Sequence, residues 1–158
     1  MLIMRKIMLD DIDRRLLRHL QADPSQSTGD LAEAARVPLA SAYKRLEKLQ
    51  SNGVLKGQRA VIDWRALGFE VEVSLRITLD KTNPRAFDEF LAQAREVPEV
   101  IEIQTFLGRV DARLKVIARD LSAYQQVYRN AILTLPHMAD IEALMQVASI
   151  KNAMSYPL

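Results

Sequence analysis

A run of alternating apolar and polar residues, EVEVSLRITLD at positions 70–80, constrains the fold of this chain most strongly. Its apolar members all fall on one side of an extended backbone; they are Val71, Val73, Leu75, Ile77 and Leu79. Side chains alternate between the two faces of a strand, so this pattern predicts a strand with one buried and one polar face. Such a strand needs a sheet and a layer that covers it, which predicts an α+β unit in this part of the chain.

Two helical segments and three further strands are predicted after this strand. In NPRAFDEFLAQAREVP, Asn83 is the predicted cap and Pro84 the first helical residue. The predicted inner stripe of that helix is Phe87, Phe90, Leu91 and Ala94. In DLSAYQQVYRNAILTLP, the predicted inner residues are Leu121, Tyr124, Val127, Tyr128 and Ile132. The strands EVIEIQTFLG, DARLKVIA and ADIEALMQVASIK complete a βαββαβ order, which predicts a ferredoxin-like domain with one open sheet face.

The first 62 residues follow a helical period instead. The segment LDDIDRRLLRHLQADP has Asp10 or Asp11 as its cap and ends at Pro24. The segment STGDLAEAARV has Ser27 as its cap, with Leu31, Ala34 and Ala35 predicted inward. A third helix is predicted to begin near Leu39, and VLKGQRAVID after it to form a small hairpin or an extended wing. Three helices and a wing make a winged helix-turn-helix.

The third helix has an apolar and a basic side. Its predicted inner stripe is Leu39, Ala42, Leu46 and Leu49, and Asn52-Gly53 provides a left-handed stop. A helix of this length is about 21 Å long and the DNA major groove is about 12 Å wide, so only its first turns can reach bases. Ala40, Ser41 and Lys44 are therefore the candidate base-reading residues. The candidate phosphate contacts are Arg45 and Lys48, and Lys56 and Arg59 of the predicted wing are further candidate DNA-binding residues. A solvated face explains the charges of this helix alone equally well.

Composition narrows the classes of partner, cofactor and cellular location that this chain can have. The net charge is +2, with 11 basic against 7 acidic residues in 1–62 and 11 against 13 in 63–158, which favours a polyanion partner for the first part. The chain has no cysteine, and we see no metal-ligand spacing, phosphate loop or nucleophile–histidine set, so we expect no metal, cofactor or catalysis. MLIMRKIM is too short and too basic for a signal peptide, and no apolar run suits a membrane. We expect a cytoplasmic protein.

The first 62 residues resemble the DNA-binding half of the Lrp/AsnC, or feast/famine, family. The resemblance lies in Leu9-Asp10, Asp13, Leu17, Leu20-Gln21, Leu31-Ala32, Ser41, Arg45-Leu46, Leu49 and Gly53 through Gly57. The remainder is similar to the ligand-sensing domain of that family, with Gly108 and Asp111 in its Gly-x-x-Asp turn.

This resemblance implies a transcriptional regulator that binds double-stranded DNA through residues 1–62. Relatives usually begin near the position of Met8, so residues 1–8 are either an additional N-terminal arm or the result of an upstream start codon. Residues 63–69 would be a linker, and 70–158 a sensing and oligomerisation domain. It implies homodimers formed through the sheets and assembled into an octamer or similar ring. It also implies an amino acid or related small-molecule effector, held by Gly108, Arg109, Val110 and Asp111.

Three alternatives stay open at the level of sequence. Val110 and Ala112 are small where relatives often carry aromatics, so a different effector, or none, is compatible with the turn; Gly108 and Asp111 also suit a simple tight turn. The chain could be an architectural DNA-binding protein that senses nothing. Sirohaem decarboxylases share the two-domain plan, but VIDWRALGF lacks the histidine that they carry in this region.

Overall fold

The computed structural model describes residues 7–151 and 155–158, and the chain divides into two compact units. The first comprises Met1–Val61 with Lys151–Leu158, and the second comprises Ile62–Ile150. Residues 151–158, which the sequence analysis assigns to the second domain, thus group with the first unit. Of the predicted arm, residues 1–6 lie outside the described residues, whereas Ile7 and Met8 are exposed.

Three helices form the first unit: α1 (Asp11–Ala22), α2 (Thr28–Ala34) and α3 (Leu39–Ser51). Asp10 caps α1 and forms a capping box with Asp13, because each side chain accepts a hydrogen bond from the backbone N–H of the other. Ser27 caps α2 by accepting from the Asp30 N–H at 3.1 Å. The predicted caps Asp10 and Ser27 are confirmed.

A small apolar core joins these helices, and its buried members are Leu16, Leu31, Ala32, Ala35, Val37 and Ala42. Two predictions for this core are wrong. Leu39 is 49% exposed, because it is the first residue of α3 and its Cβ leans towards the helix N-terminus, away from the packed turns. Ala34 is also exposed, and Ala32 takes its place beside Leu31.

The segment after α3, predicted to be a small hairpin or an extended wing, contains no strand between residues 54 and 63, so the hairpin form is wrong. The apolar runs on either side of Gly57 are only two or three residues long, too short to pair as a ladder. The Leu55 N–H instead donates to Leu49 O, and the Gln58 side-chain amide donates to Pro24 O at 2.8 Å. These bonds hold the segment as an irregular extension of the helical unit.

The second unit is an antiparallel four-stranded sheet with helical segments on one face. Its elements are β1 (Val71–Leu79), α4 (Ala86–Ala94), β2 (Val100–Thr105), β3 (Ala112–Ala118), α5 (Leu121–Val127), a π-helical turn (Tyr128–Ile132) and β4 (Met138–Met145). The strand order is β2-β3-β1-β4, and every neighbouring pair is antiparallel. The ferredoxin-like βαββαβ prediction is confirmed.

The alternation of β1 assigns its two faces as predicted. Val73, Leu75 and Ile77 are at most 1% exposed and pack in a core with Phe90, Leu114 and Ile132. On the other face, Glu72 pairs with Lys115 at 2.9 Å, and Arg76 pairs with Glu142 at 3.3 Å. This second face therefore presents charges of both signs across three neighbouring strands.

Helix α4 begins later than predicted. The Asn83 side chain accepts a hydrogen bond from the Arg85 N–H at 2.9 Å, which forms a local turn before the helix and leaves Ala86 as its first residue. Phe87, predicted inward, is 39% exposed as a result. Leu121, also predicted inward, is 51% exposed because it opens α5 directly after its cap, Asp120.

Within residues 7–151 and 155–158, no helix is long and apolar enough to cross a membrane.

We predict that Phe90→Ala lowers the free energy of unfolding by about 3–5 kcal/mol, because Phe90 is fully buried between α4 and the sheet. Phe87→Ala on the same helix is the matched control and should cost less than about 1.5 kcal/mol, since that ring is partly in water. Urea denaturation of both variants measures the difference. Equal losses would contradict the packing described for α4.

Candidate nucleic-acid interface and effector turn

The outer face of α3 presents the residues that the sequence analysis selects for base reading. Ala40 and Lys44 are exposed, Ser41 is half-buried, and Lys48 is exposed one turn beyond Lys44. Gly53 follows α3 with a φ of 71°, in the left-handed conformation predicted for the helix stop. The structure thus brings Ala40, Ser41, Lys44 and Lys48 together along one side of a single helix.

The turn between α2 and α3 depends on a residue that the sequence analysis did not select. Arg36 has a φ of 55°, a left-handed conformation that is uncommon for a residue with a Cβ. The Val37 N–H then donates to Ala32 O at 2.8 Å, which closes the end of α2. Glycine normally marks this position in a sequence, so an arginine there gave no signal of the left-handed turn.

Arg45, predicted as a phosphate contact, lies against the N-terminus of α1. Its Nη1 is 2.8 Å and 2.7 Å from the two carboxylate oxygens of Asp10 and 2.7 Å from Oδ1 of Asp13. Its side chain is 25% exposed and that of Asp13 is 9% exposed. One cation of α3 therefore forms ion pairs with both acidic groups of the α1 capping box.

The electrostatics of this cluster favour the charged forms. The hydrogen bond to Asp10, followed by that to Asp13, raises the pKa of Arg45 above its ordinary value. The Asp13 N–H and, next to it, the Arg45 guanidinium lower the pKa of Asp10. Arg45 and Asp10 thus stabilise each other's ionised state across the α1–α3 contact.

The remaining candidate DNA-binding residues lie in the irregular segment after α3, where Lys56 and Arg59 are both exposed. Like the α3 residues, they belong to the first unit. Their cations are available to a polyanion.

In the second unit, the turn between β2 and β3 is tied to the end of β1. The Asp111 carboxylate accepts from the Leu79 N–H and from Lys81 Nζ, both at 2.9 Å, and Asp111 itself is only 6% exposed. The Asp111 N–H donates to Ile77 O at 2.9 Å, and the Thr78 hydroxyl donates to Arg109 O at 3.1 Å. Asp111 is therefore a structural link between strands, whatever else it contacts.

Burial alone would raise the pKa of Asp111, but the Leu79 N–H and the Lys81 ammonium outweigh burial and hold that pKa below its ordinary value. A cavity of about 240 Å³ adjoins this carboxylate, lined by Leu79, Lys81, Asn83, Pro84, Ala86, Phe87 and Asp111. Gly108 and Arg109 are exposed on the turn, and Val110 is half-buried. The four residues predicted to hold an effector thus form one turn, with Asp111 at a small cavity.

Comparison with known proteins assigns the chain to a class. The family model described as the Lrp/AsnC ligand binding domain matches residues 72–156, and a winged helix-turn-helix DNA-binding model matches residues 9–56. The chain is 29% identical over 151 residues to the DNA-binding transcriptional activator DecR of Escherichia coli strain K12, covering 96% of this chain and 99% of that protein.

Solved structures agree with this assignment. An AsnC family transcriptional regulator from Agrobacterium tumefaciens superposes with a TM-score of 0.84 at 27% identity, over 94% of this chain and 97% of that one. A transcriptional regulator from Neisseria meningitidis, solved in complex with L-Met, has the same fold, with a TM-score of 0.86 at 22% identity over 95% and 97% of the two chains. The chain belongs to the Lrp/AsnC family and is a DNA-binding transcriptional regulator.

We predict that the stabilising effect of Asp111 depends on acid pH. The folded pKa of Asp111 is below the unfolded value of about 3.8, so the unfolded state binds more protons as the pH falls. The difference in unfolding free energy between the wild type and Asp111→Asn should therefore be constant above about pH 5 and shrink below about pH 4. Chemical denaturation across this range measures it. A difference that is unchanged down to pH 3 would contradict the assigned ion pair.

Proposed function

We propose that the first turns of α3 read the DNA sequence through Ala40, Ser41 and Lys44. The observation that carries this proposal is the exposed end of α3, where two small residues precede a lysine on one face. Small side chains allow a helix to approach base edges closely, and a hydroxyl or ammonium can then bond to them. The match of residues 9–56 to a DNA-binding model supports this use of the helix.

Lys48, Lys56 and Arg59 are proposed phosphate contacts. All three are exposed, and Lys48 lies one turn further along α3 than Lys44, where the helix leaves the groove floor. Contacts of this kind set the position of the protein on the duplex but carry no sequence information.

We further propose that a small molecule, an amino acid or a close relative, modulates the regulator through the turn formed by Gly108, Arg109, Val110 and Asp111. The match of residues 72–156 to a ligand-binding model supports a ligand in this unit. The cavity of about 240 Å³ beside Asp111 suits a molecule of that size, and Lys81 and Asn83 add polar groups to its wall.

Assembly is the remaining part of the proposal. The face of the sheet with the Glu72–Lys115 and Arg76–Glu142 pairs is proposed to pack on the same face of a second copy, giving a dimer that associates into an octamer or similar ring. A self-complementary arrangement of opposite charges suits a two-fold contact of this kind.

We place this regulator in the cytoplasm and propose that it acts by binding rather than by catalysis.

Two substitutions on α3 should separate phosphate contact from base reading. Lys48→Ala should lower affinity for all duplexes and reduce the slope of log Kd against log salt by about 0.9, as loss of one phosphate contact does. Ser41→Ala leaves the charge unchanged, so the slope should stay constant while discrimination between a selected and a random duplex falls, by about 1–3 kcal/mol if one base contact is lost. Fluorescence anisotropy at several salt concentrations measures both.

An unchanged slope for Lys48→Ala would remove Lys48 from the phosphate contacts. Unchanged discrimination for Ser41→Ala would remove Ser41 from the base-reading residues.

We predict that at least one of the common amino acids raises the melting temperature of the full chain, since a ligand that binds only the folded state stabilises it by about 2.7 kcal/mol at a hundred times its Kd. Arg109→Ala, on the exposed turn, should abolish that increase without changing the melting temperature of the ligand-free protein. Differential scanning fluorimetry with each amino acid at millimolar concentration is the measurement. No increase with any of them would contradict an amino-acid effector.

A further inference from the structure

The ion pairs of Arg45 join α3 to α1 within the first unit. Asp10 and Asp13 stand at the N-cap and third positions of α1, with their carboxylates fixed by the capping box. Arg45 Nη1 meets three of their oxygens at 2.7–2.8 Å. Charge-assisted bonds of this length are directional, so they fix the angle of the donor as well as its distance.

The position of Arg45 on α3 makes that angle important for recognition. At 3.6 residues per turn, Arg45 lies about 40° around the helix from Ser41 and about 60° from Lys48. A rotation of α3 about its axis therefore moves the Arg45 guanidinium and the base-reading face together. Any rotation that displaced Ser41 by one helical position would break the contacts to Asp10 and Asp13.

The apolar stripe of α3, which lies beside Arg45 around the helix, does not supply the same constraint. It packs through Ala42 and Leu49, which are fully apolar, with the partly buried Leu46 between them. Apolar packing is non-directional and tolerates small rotations better than a set of hydrogen bonds does. The direction in which the base-reading face of α3 points therefore depends on Arg45.

Burial adds to this dependence. The Asp13 side chain is 9% exposed, so a cation is needed to compensate its charge in the folded unit. The same guanidinium is committed to two carboxylates, which makes it a poor partner for a phosphate, because approach of a third anion would compete with the pairs already formed.

We propose that Arg45 is a positioning residue, which sets the rotation of α3 through Asp10 and Asp13 and thereby fixes which side chains face the bases. This assignment replaces its predicted role as a phosphate contact. It rests on the proposal that α3 reads DNA, and the experiment below distinguishes failure of the two.

The experiment compares two duplexes: one selected by the wild-type protein from a randomised pool, and a shuffled sequence of the same composition. Affinity for both is measured across a range of salt concentrations for Arg45→Lys, Arg45→Met, Asp13→Asn and the Arg45→Met/Asp13→Asn double variant. Arg14→Met, which removes an exposed arginine of α1, is the matched control for charge. If the wild type selects no sequence, the proposed function fails before Arg45 is tested.

Positioning predicts that Arg45→Lys keeps the salt slope but lowers the ratio of selected to shuffled affinity about fivefold or more. Lysine keeps the charge, but its flexible stem does not hold an ammonium where the rigid guanidinium places Nη1. Asp13→Asn should lower the ratio similarly although it removes no cation. The double variant should lose no more than the worse single variant, since Arg45 and Asp13 act through one contact. Arg14→Met should leave the ratio unchanged.

A phosphate contact predicts the opposite pattern. Arg45→Met would reduce the slope by about 0.9, Arg45→Lys would behave as the wild type, and Asp13→Asn would leave the ratio unchanged. That pattern would overturn the proposal, as would additive losses in the double variant. Arg45→Lys and Asp13→Asn keep the test decisive if Arg45→Met does not fold.

Discussion

The contact between the Arg45 guanidinium and the two carboxylates at the start of α1 is the interaction on which the arrangement of the DNA-binding unit depends. A three-helix unit of this size has a small core, and much of the packing of α3 involves alanines, at positions 32, 35 and 42. Small residues bring helices close but hold them only weakly in rotation. The ion pairs of Arg45 restrict this rotation of α3, and Arg45 lies next to Ser41 and Lys48 around the helix.

Local patterns predicted most of the first unit, because helix caps and stripes are short-range features. Asp10, Ser27 and Gly53 act at the helix ends as predicted. The pairing of Arg45 with Asp10 and Asp13 was not predictable in this way, because the partners are 32 and 35 residues apart and each also has a sufficient local explanation. Periodicity likewise predicts Leu39, the first residue of its stripe, to lie inward, although it lies outside the core.

The second unit shows the same division between local and long-range information. The alternation of β1 was enough to predict its buried face, and the order of elements was enough to predict the sheet. The Asp111 carboxylate contacts both Leu79 and Lys81, and so joins the β2–β3 turn to residues 30 or more positions earlier. From the sequence, a tight turn and an effector site were therefore equally good explanations of Asp111. The buried carboxylate links the strands, and the cavity of the proposed effector site lies beside it.

We propose that the first turn of α3, and not its later turns, lies in the major groove. Because the chain has no cysteine, a single cysteine at position 40 or 50 can carry an iron chelate that cleaves nearby DNA. The two positions are about 15 Å apart along the helix. We expect Ala40→Cys to cut within a few base pairs of the selected site and Gln50→Cys to cut weakly or outside it. Equal cleavage from both positions, or none from position 40, would contradict the account.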